Sequence, residues 1–390
     1  MSILFGGRNR SASDDDRIPP RGGVRRGSVD VNATSAMRHS AVWACLRLRA
    51  DLISTMPVDV FRRSGAFGVT VEVPKPPVLV EPGGSRIELE EWLYSTQVEL
   101  DRYGNDFGII TARNGMGLPS RIDLVPAADT TVIVKQGQLA AYRIAGKEYD
   151  PFSIWHEKQF TLPGLHVGLN PTAYAAWSIG AYLSAQQFAL DWFGNGAAPT
   201  GVLRNSAKTL DQKVIRKAKE QFKEATAQRD IFVTGSDWEF DFLNVPASET
   251  AFMDQMKYGV SDAARFYGVP GDMIDAEVST GSITYANVTQ RNLQLLIMNI
   301  GPAVVRREKA LSRLTPKPQF VKLNSDALLR MDPEAVVRSL KTEIDARILT
   351  PTEARAIRNR APLTTDDLAE FAALFPNKAP SASPIQGVPA

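Results

Sequence analysis

A single cysteine, Cys45, in 390 residues leaves no partner for an intrachain disulfide. Histidine is almost as scarce, with only His39, His156 and His166, so a His/Cys zinc site is not expected. An excess of one charge is missing too. Lys and Arg number 45 against 43 Asp and Glu, a net charge of +2, unlike a chain that grips nucleic acid tightly through its phosphates. Any contact with DNA is therefore expected to be loose. The opening MSILFGGRNRSASDDDRIPP has no apolar core of signal-peptide length, and the expected setting is a reducing interior. Long hydrophobic runs are absent as well. The most apolar stretch, AYAAWSIGAYLSAQQFALDWF, is interrupted by Ser178, Ser184, Gln186 and Gln187 and holds no run of about 18 apolar residues. It reads as a helix buried between domains or subunits, with no membrane partner.

Familiar catalytic signatures fail at nameable positions. Gly146-Lys147 is followed by Glu148 where a phosphate loop needs Ser or Thr, and His156-Glu157 has Phe160 where a zinc protease needs its second His. No G-x-S-x-G or G-x-G-x-x-G occurs. The carboxylates Asp262, Asp272, Asp275 and Glu277 remain as a set able to bind Mg²⁺, although three of them share a loop rather than rigid elements. They keep a metal-dependent nuclease open as an alternative.

At this length the chain exceeds one typical domain, and its 44% hydrophobic residues are enough for a real core. Residues 1–35, rich in Gly, Arg, Ser and Pro, read as a disordered arm. Val42, Cys45, Leu48, Leu52 and Ile53 share one face of a helix over 37–55, which Pro57 stops. From 58 to about 158 short alternating runs read as an antiparallel β module, with turns at Asn114-Gly115 and Gln136-Gly137 and one helix over 89–102. Asn170-Pro171 starts a helix apolar on nearly every side, and Gly194-Asn195-Gly196 ends it. Residues 197–246 then read as a compact β-α-β-β insert, its helix opened by a Thr209/Gln212 capping box. A helix over 248–267 leads to the loop GVPGDMIDAEVSTGSI, 268–283, and a long helix over 284–314 that Gly301-Pro302 must kink. Short helices fill 326–375, one opened by Thr350, Pro351 and Glu353, and 376–390 reads as a loose tail.

This order, with the strings AVWACLRLRADLISTMPVDVFRR, YGNDFGIITARNGMGLPSRIDLVPAADTTV, FALDWFGNGAAPTGVL, ARFYGVPGDMI, TYANVTQRNLQ and ILTPTEARAIRN, resembles the HK97-like portal proteins of tailed bacteriophages over residues 35–360. The resemblance implies an α+β portal fold. Residues 36–169 would be a β-rich wing, and 170–196 and 247–267 two stem helices bracketing a small clip, 197–246. A tunnel loop at 268–283, a kinked wing helix in 284–325 and a helical crown at 326–375 would complete it. It further implies a non-enzymatic ring, dodecameric in the family, at one capsid vertex of the virion, assembled in the bacterial host cytoplasm, without cofactor or metal. Its partners would be the major capsid protein, the terminase large subunit, the head-tail adaptor and double-stranded DNA bound without sequence preference. An adaptor that docks on another ring is a second alternative.

By the same resemblance the channel would be lined by Asp272, Asp275, Glu277, Ser279, Thr280, Ser282 and Thr284, the acids repelling phosphate and the small residues letting the loop change shape. Tyr174, Trp177, Tyr182, Phe188 and Trp192 would lie between subunits on the stem. The basic clip surface formed by Lys208, Lys213, Arg216, Lys217, Lys219 and Lys223 would be a docking face, with an ordinary solvated surface as the other reading. This chain departs from many members of the family at Gly271, where a second proline often follows Val-Pro.

Overall fold

The computed structural model describes residues 8–11, 30–64, 69–84, 86–194, 201–205, 212–213, 215–217, 220–221, 238–242, 249–276, 285–325 and 333–374. The chain divides into two compact units, Met1–Asn324 and Ser325–Ala390.

In the first unit, helix α1 (Ser40–Ser54) begins three residues later than its periodicity suggests, because a 3-10 turn, Ser35–Arg38, precedes it and His39 caps it. The His39 Nδ1 accepts from the Ala41 N–H at 3.2 Å and the ring stacks on Tyr182 at 3.7 Å. Burial lowers its pKa to about 4, which keeps the ring neutral and able to accept. Helix α1 packs against α2 (Leu89–Tyr103) on one side and against α4 (Glu249–Tyr267) on another, while α3 (Pro171–Gly194) lies along α4. The core shared by α1, α3 and α4 includes Val42, Cys45, Leu46, Ala175, Ile179, Ala263 and Tyr267.

Besides the two-stranded sheet of the insert, three antiparallel sheets are found among the described residues of this unit. The strands β2 (Val58–Ser64) and β3 (Val69–Val73) are joined by a late strand, β12 (Gln319–Leu323), which pairs with β2 across more than 250 residues of sequence. The second sheet orders β5 (Pro119–Val125), β4 (Asn105–Arg113) and β9 (Ile154–Lys158). The third orders β1 (Arg8–Ser11), β6 (Thr130–Lys135), β7 (Gln138–Ile144) and β8 (Lys147–Tyr149). Gln136 and Gly137 both have positive φ and form the two-residue hairpin expected, whereas the other turn spreads over Asn114 to Leu118 and is closed by a backbone bond between those two residues.

Within the segment read as a disordered arm, the described residues 8–11 and 30–35 are ordered: Arg8–Ser11 pairs with β6, whose edge would otherwise carry unpaired N–H and C=O groups, and Ala33 is buried. The other residues of 1–35 lie outside the described ones.

The helix expected over 284–314 changes its pattern where Gly301-Pro302 is expected to kink it. It consists of α5 (Tyr285–Gln294), a π-helical turn, Leu295–Ile300, and α6 (Gly301–Leu311). Pro302 has no N–H for the carbonyl four residues back, and the Gly301 N–H reaches Leu296, five back, so the ladder slips into the wider π pattern.

Gly104 shows how tightly the sheet and helices are fitted. It ends α2 at φ +73°, and a Cβ there would fall 1.8 Å from the Leu169 carbonyl oxygen. Asn105 holds the same crossing, accepting from Gly168 N–H at 2.7 Å and donating to Gly168 and Tyr103 carbonyls.

Of the insert, β10 (Gly201–Asn205) and β11 (Trp238–Phe242) pair antiparallel, and 212–213, 215–217 and 220–221 are helical. The capping box at Thr209 and the middle strand of the expected β-α-β-β insert lie outside the described residues. The second unit contains α7 (Pro333–Asp345), α8 (Pro351–Ile357) and α9 (Thr365–Leu374). The box at α8 is present, with Thr350 N–H donating to Glu353 at 2.8 Å and Glu353 N–H to Thr350 at 3.3 Å.

Candidate functional site

The segment singled out by the sequence follows α4. Gly268, at φ +64°, terminates the helix, and the Val269 N–H returns to the Ala264 carbonyl at 3.0 Å. Pro270 then leads into a 3-10 turn, Gly271–Ile274, closed by Asp275 in the left-handed region at φ 54°. Val269 is buried, and Met273 and Ile274 pack on the core of α1, α3 and α4. The first half of the expected loop is therefore an anchored turn. Glu277, Ser279, Thr280, Ser282 and Thr284 lie outside the described residues.

Three polar contacts fix its base. The Arg49 guanidinium donates to the Tyr267 carbonyl at 3.3 Å, the Asn299 amide donates to Gly268 at 2.8 Å, and Arg291 pairs with Asp272 at 3.3 Å. The Asp272 charge is thus shared with a cation, and the exposed carboxylate of the described turn is Asp275.

Arg49 belongs to a buried network that sequence reasoning missed. It makes a two-point contact with Asp101 at 2.9 and 3.1 Å, and Gln97 and Gln159 donate to the same carboxylate at 2.9 and 3.0 Å. The Arg49 pKa is raised: burial pulls it down, and the charge and hydrogen bonds of Asp101 outweigh burial. A second pair joins Arg307, 1% exposed, to Glu157 at 2.9 Å. Both arginines interrupt the apolar face of a helix, Arg49 four residues after Cys45 and Arg307 three after Val304. That placement was the available signal.

The stem residues divide. Trp177 and Phe188 are 64% and 59% exposed in the isolated chain, and Tyr174 is exposed with them. Tyr182 is a correction: at 8% exposed it packs inside its own chain on His39, and the Gln186 amide donates to its hydroxyl at 3.2 Å. Helix α3 has apolar side chains around most of its girth, so filling one face from within leaves another outward. The Trp192 side chain lies outside the described residues. In the insert, Lys213, Arg216 and Lys217 are exposed, and Lys208, Lys219 and Lys223 are outside.

No described group of His, Cys, Asp and Glu side chains could hold a metal ion. Asp262 faces Arg265 at 3.5 Å and Asp272 faces Arg291, so neither points to a shared cation position with Asp275. Burial pushes the Cys45 thiol up to about 12, far from a nucleophile's value. His156 is kept neutral by burial, its ring held by Tyr142 and Asn105 at 2.9 and 3.1 Å. Among the described residues no helix is long and apolar enough to cross a membrane.

The family profile described as "Phage portal protein" matches residues 40–359. The portal protein of Enterobacteria phage HK97 is 28% identical over 360 residues, covering 88% of this chain and 84% of that protein. The probable portal protein of Streptomyces phage phiC31 is 26% identical and covers 95% and 87%. In fold, the chain is similar to an HK97 family phage portal protein from Corynebacterium diphtheriae, with a TM-score of 0.63 at 17% identity over 79% of this chain and 99% of that one. It is also similar to a chain in the neck of a native gene transfer agent particle computed with C12 symmetry, with a TM-score of 0.54 at 17% identity over 85% and 94%.

Proposed function

The chain belongs to the phage portal protein family, and from that premise we propose that it closes into a ring at a capsid vertex and conducts double-stranded DNA. Ring closure needs one surface to meet a different surface of the next copy. The observation that carries this reading is helix α3: Ala175, Ile179 and Tyr182 fill its own chain's core, and Tyr174, Trp177 and Phe188 stand outward on the same helix. Solvent-exposed aromatics of this size on an otherwise folded helix mark a contact surface. The gene transfer agent neck that holds a chain of similar fold was computed with C12 symmetry, which agrees with a cyclic closure.

In this reading the anchored turn after α4 holds the base of a channel loop. Lys213, Arg216 and Lys217 on the insert offer a docking face to the terminase large subunit or the head-tail adaptor, and the major capsid protein surrounds the ring. The chain supplies no catalysis of its own.

Light scattering followed by negative-stain imaging tests the ring directly. Closed rings with a hole wide enough for duplex DNA are expected, and Trp177→Lys with Phe188→Glu should give a folded protein with wild-type circular dichroism that no longer closes. A chain that attaches to another protein's ring but never forms one would make it an adaptor instead.

The channel loop is tested by Asp275→Lys with Glu277→Lys, leaving Asp272 to its Arg291 contact. Ring assembly should persist while DNA passage slows, more strongly at low salt, because each new phosphate contact adds friction that counterions screen. Passage rates that match wild type across a salt series would remove the electrostatic role.

A further inference from the structure

Between β9 and α6 lies a cleft of about 310 Å³ whose charged rim differs from the surrounding surface. Arg306, Lys309 and Arg313 follow one another on a single helical face, and Lys158 closes the cleft from the end of β9. All four are exposed, and none forms an ion pair among the described residues. Elsewhere on this unit cations sit beside acids: Arg102 by Glu99, Arg121 by Asp123, Arg143 by Glu148 and Lys322 by Glu308, all within 3.0 Å.

The acid that does line the cleft is already engaged. Glu157 takes the Arg307 guanidinium on one oxygen and the Trp155 indole N–H on the other, at 2.9 and 3.2 Å. His156 is kept neutral by burial, so the floor adds no charge of its own through this ring. Arg313 is pre-positioned, its guanidinium 4.3 Å from the Trp155 ring and one amine 3.3 Å from the His156 carbonyl. Two of the cations oppose each other: burial and then the Arg313 charge lower the Lys158 pKa. Burial and then the charge of Arg49 lower that of Arg306, with Asp101 acting the other way.

We infer that this cleft is a phosphate-binding site, in which Arg306, Lys309, Arg313 and Lys158 converge on the oxygens of a phosphate group. A phosphate offers several acceptors and up to two negative charges from one small body, which suits four converging cations with no acid of their own. The site is separate from the turn after α4, where acids predominate, and it does not depend on ring closure.

Titration calorimetry on the full-length protein at low salt tests it, with inorganic phosphate, a short blunt DNA duplex and an acidic peptide as probes. The comparison variant is Arg306→Gln with Lys309→Gln, two side chains that make no hydrogen bond or ion pair among the described residues, so the fold should survive. Binding of phosphate or duplex by wild type, weakened at least tenfold in the variant, is the expected result. The log-log salt slope for the duplex should fall by about 0.9 for each phosphate the variant no longer neutralises. Inorganic phosphate binding nearly as well as duplex would identify free phosphate as the source, and a strong preference for duplex would identify the nucleic-acid backbone. Equal binding by variant and wild type, or an acidic peptide bound as tightly as either phosphate probe, would overturn the assignment.

Discussion

Replacing Arg307 with methionine should destabilise the N-terminal unit by about 3–5 kcal/mol, the usual penalty for removing one member of a buried pair. The side chain is 1% exposed, pairs with Glu157 at 2.9 Å, and donates to Thr96 and to the Leu93 carbonyl, with Trp92 beneath it. Methionine fills much of the volume and supplies none of the charge, so Glu157 is left buried without its cation. Asp106 lies in the same interior. Burial, and then repulsion from Glu157, hold its pKa well above 3.8, and the Arg307 charge opposes them.

The sign of the pH dependence follows. A carboxyl whose folded pKa is raised favours the folded state at acid pH, where it is protonated throughout, and that advantage is lost as pH rises from about 3.8 through the folded value. Without Arg307 the folded value climbs further, so the deficit against wild type should be smallest near pH 4 and widen toward neutrality. Guanidinium denaturation at several pH values measures this. A loss under about 1 kcal/mol, or a deficit that widens toward acid, would contradict the account.

Arg49→Met should cost a similar amount, about 3–5 kcal/mol, for the same reason and with a local consequence. Asp101 would keep its Gln97 and Gln159 donors and lose its counter-ion, while the Tyr267 carbonyl would lose the donor that ties the end of α4 to α1. Hydrogen exchange should therefore rise around 264–276 by more than global destabilisation explains. The double variant Arg49→Met, Asp101→Leu should recover part of the stability, since no buried charge then remains, but not the protection at Tyr267. Full recovery of both would assign Arg49 to the core alone.

Periodicity and local caps made part of this fold legible. Helix α3 could be read because Asn170 and Pro171 start it and its apolar residues run nearly all round, and the structure places the Asn170 side chain as acceptor from the Ala173 N–H at 3.1 Å. The hairpin at Gln136-Gly137 and the Thr350 capping box are equally local. Strand β12 was not legible. Its five residues, QFVKL, mix polar and apolar side chains with no signal of their own until β2 offers an edge, and β2 lies at the other end of the chain. Strand β1 escaped notice for the same reason, since Arg8–Ser11 is a strand through its pairing with β6.

The sequence by itself determined the elements whose causes lie within a few residues: caps, turns and the proline that bends the long helix. Only the tertiary structure decided which charges are neutralised. Arg49 and Arg307 read as surface cations until the fold buries each beside a carboxylate far away in sequence, and Asp272 reads as a free acid until Arg291 approaches. Arg306 and Lys309 stand one and two residues from the buried Arg307, yet neither forms an ion pair among the described residues. Charge pairing depends on distance in space and on local dielectric, and a chain's order in one dimension carries neither.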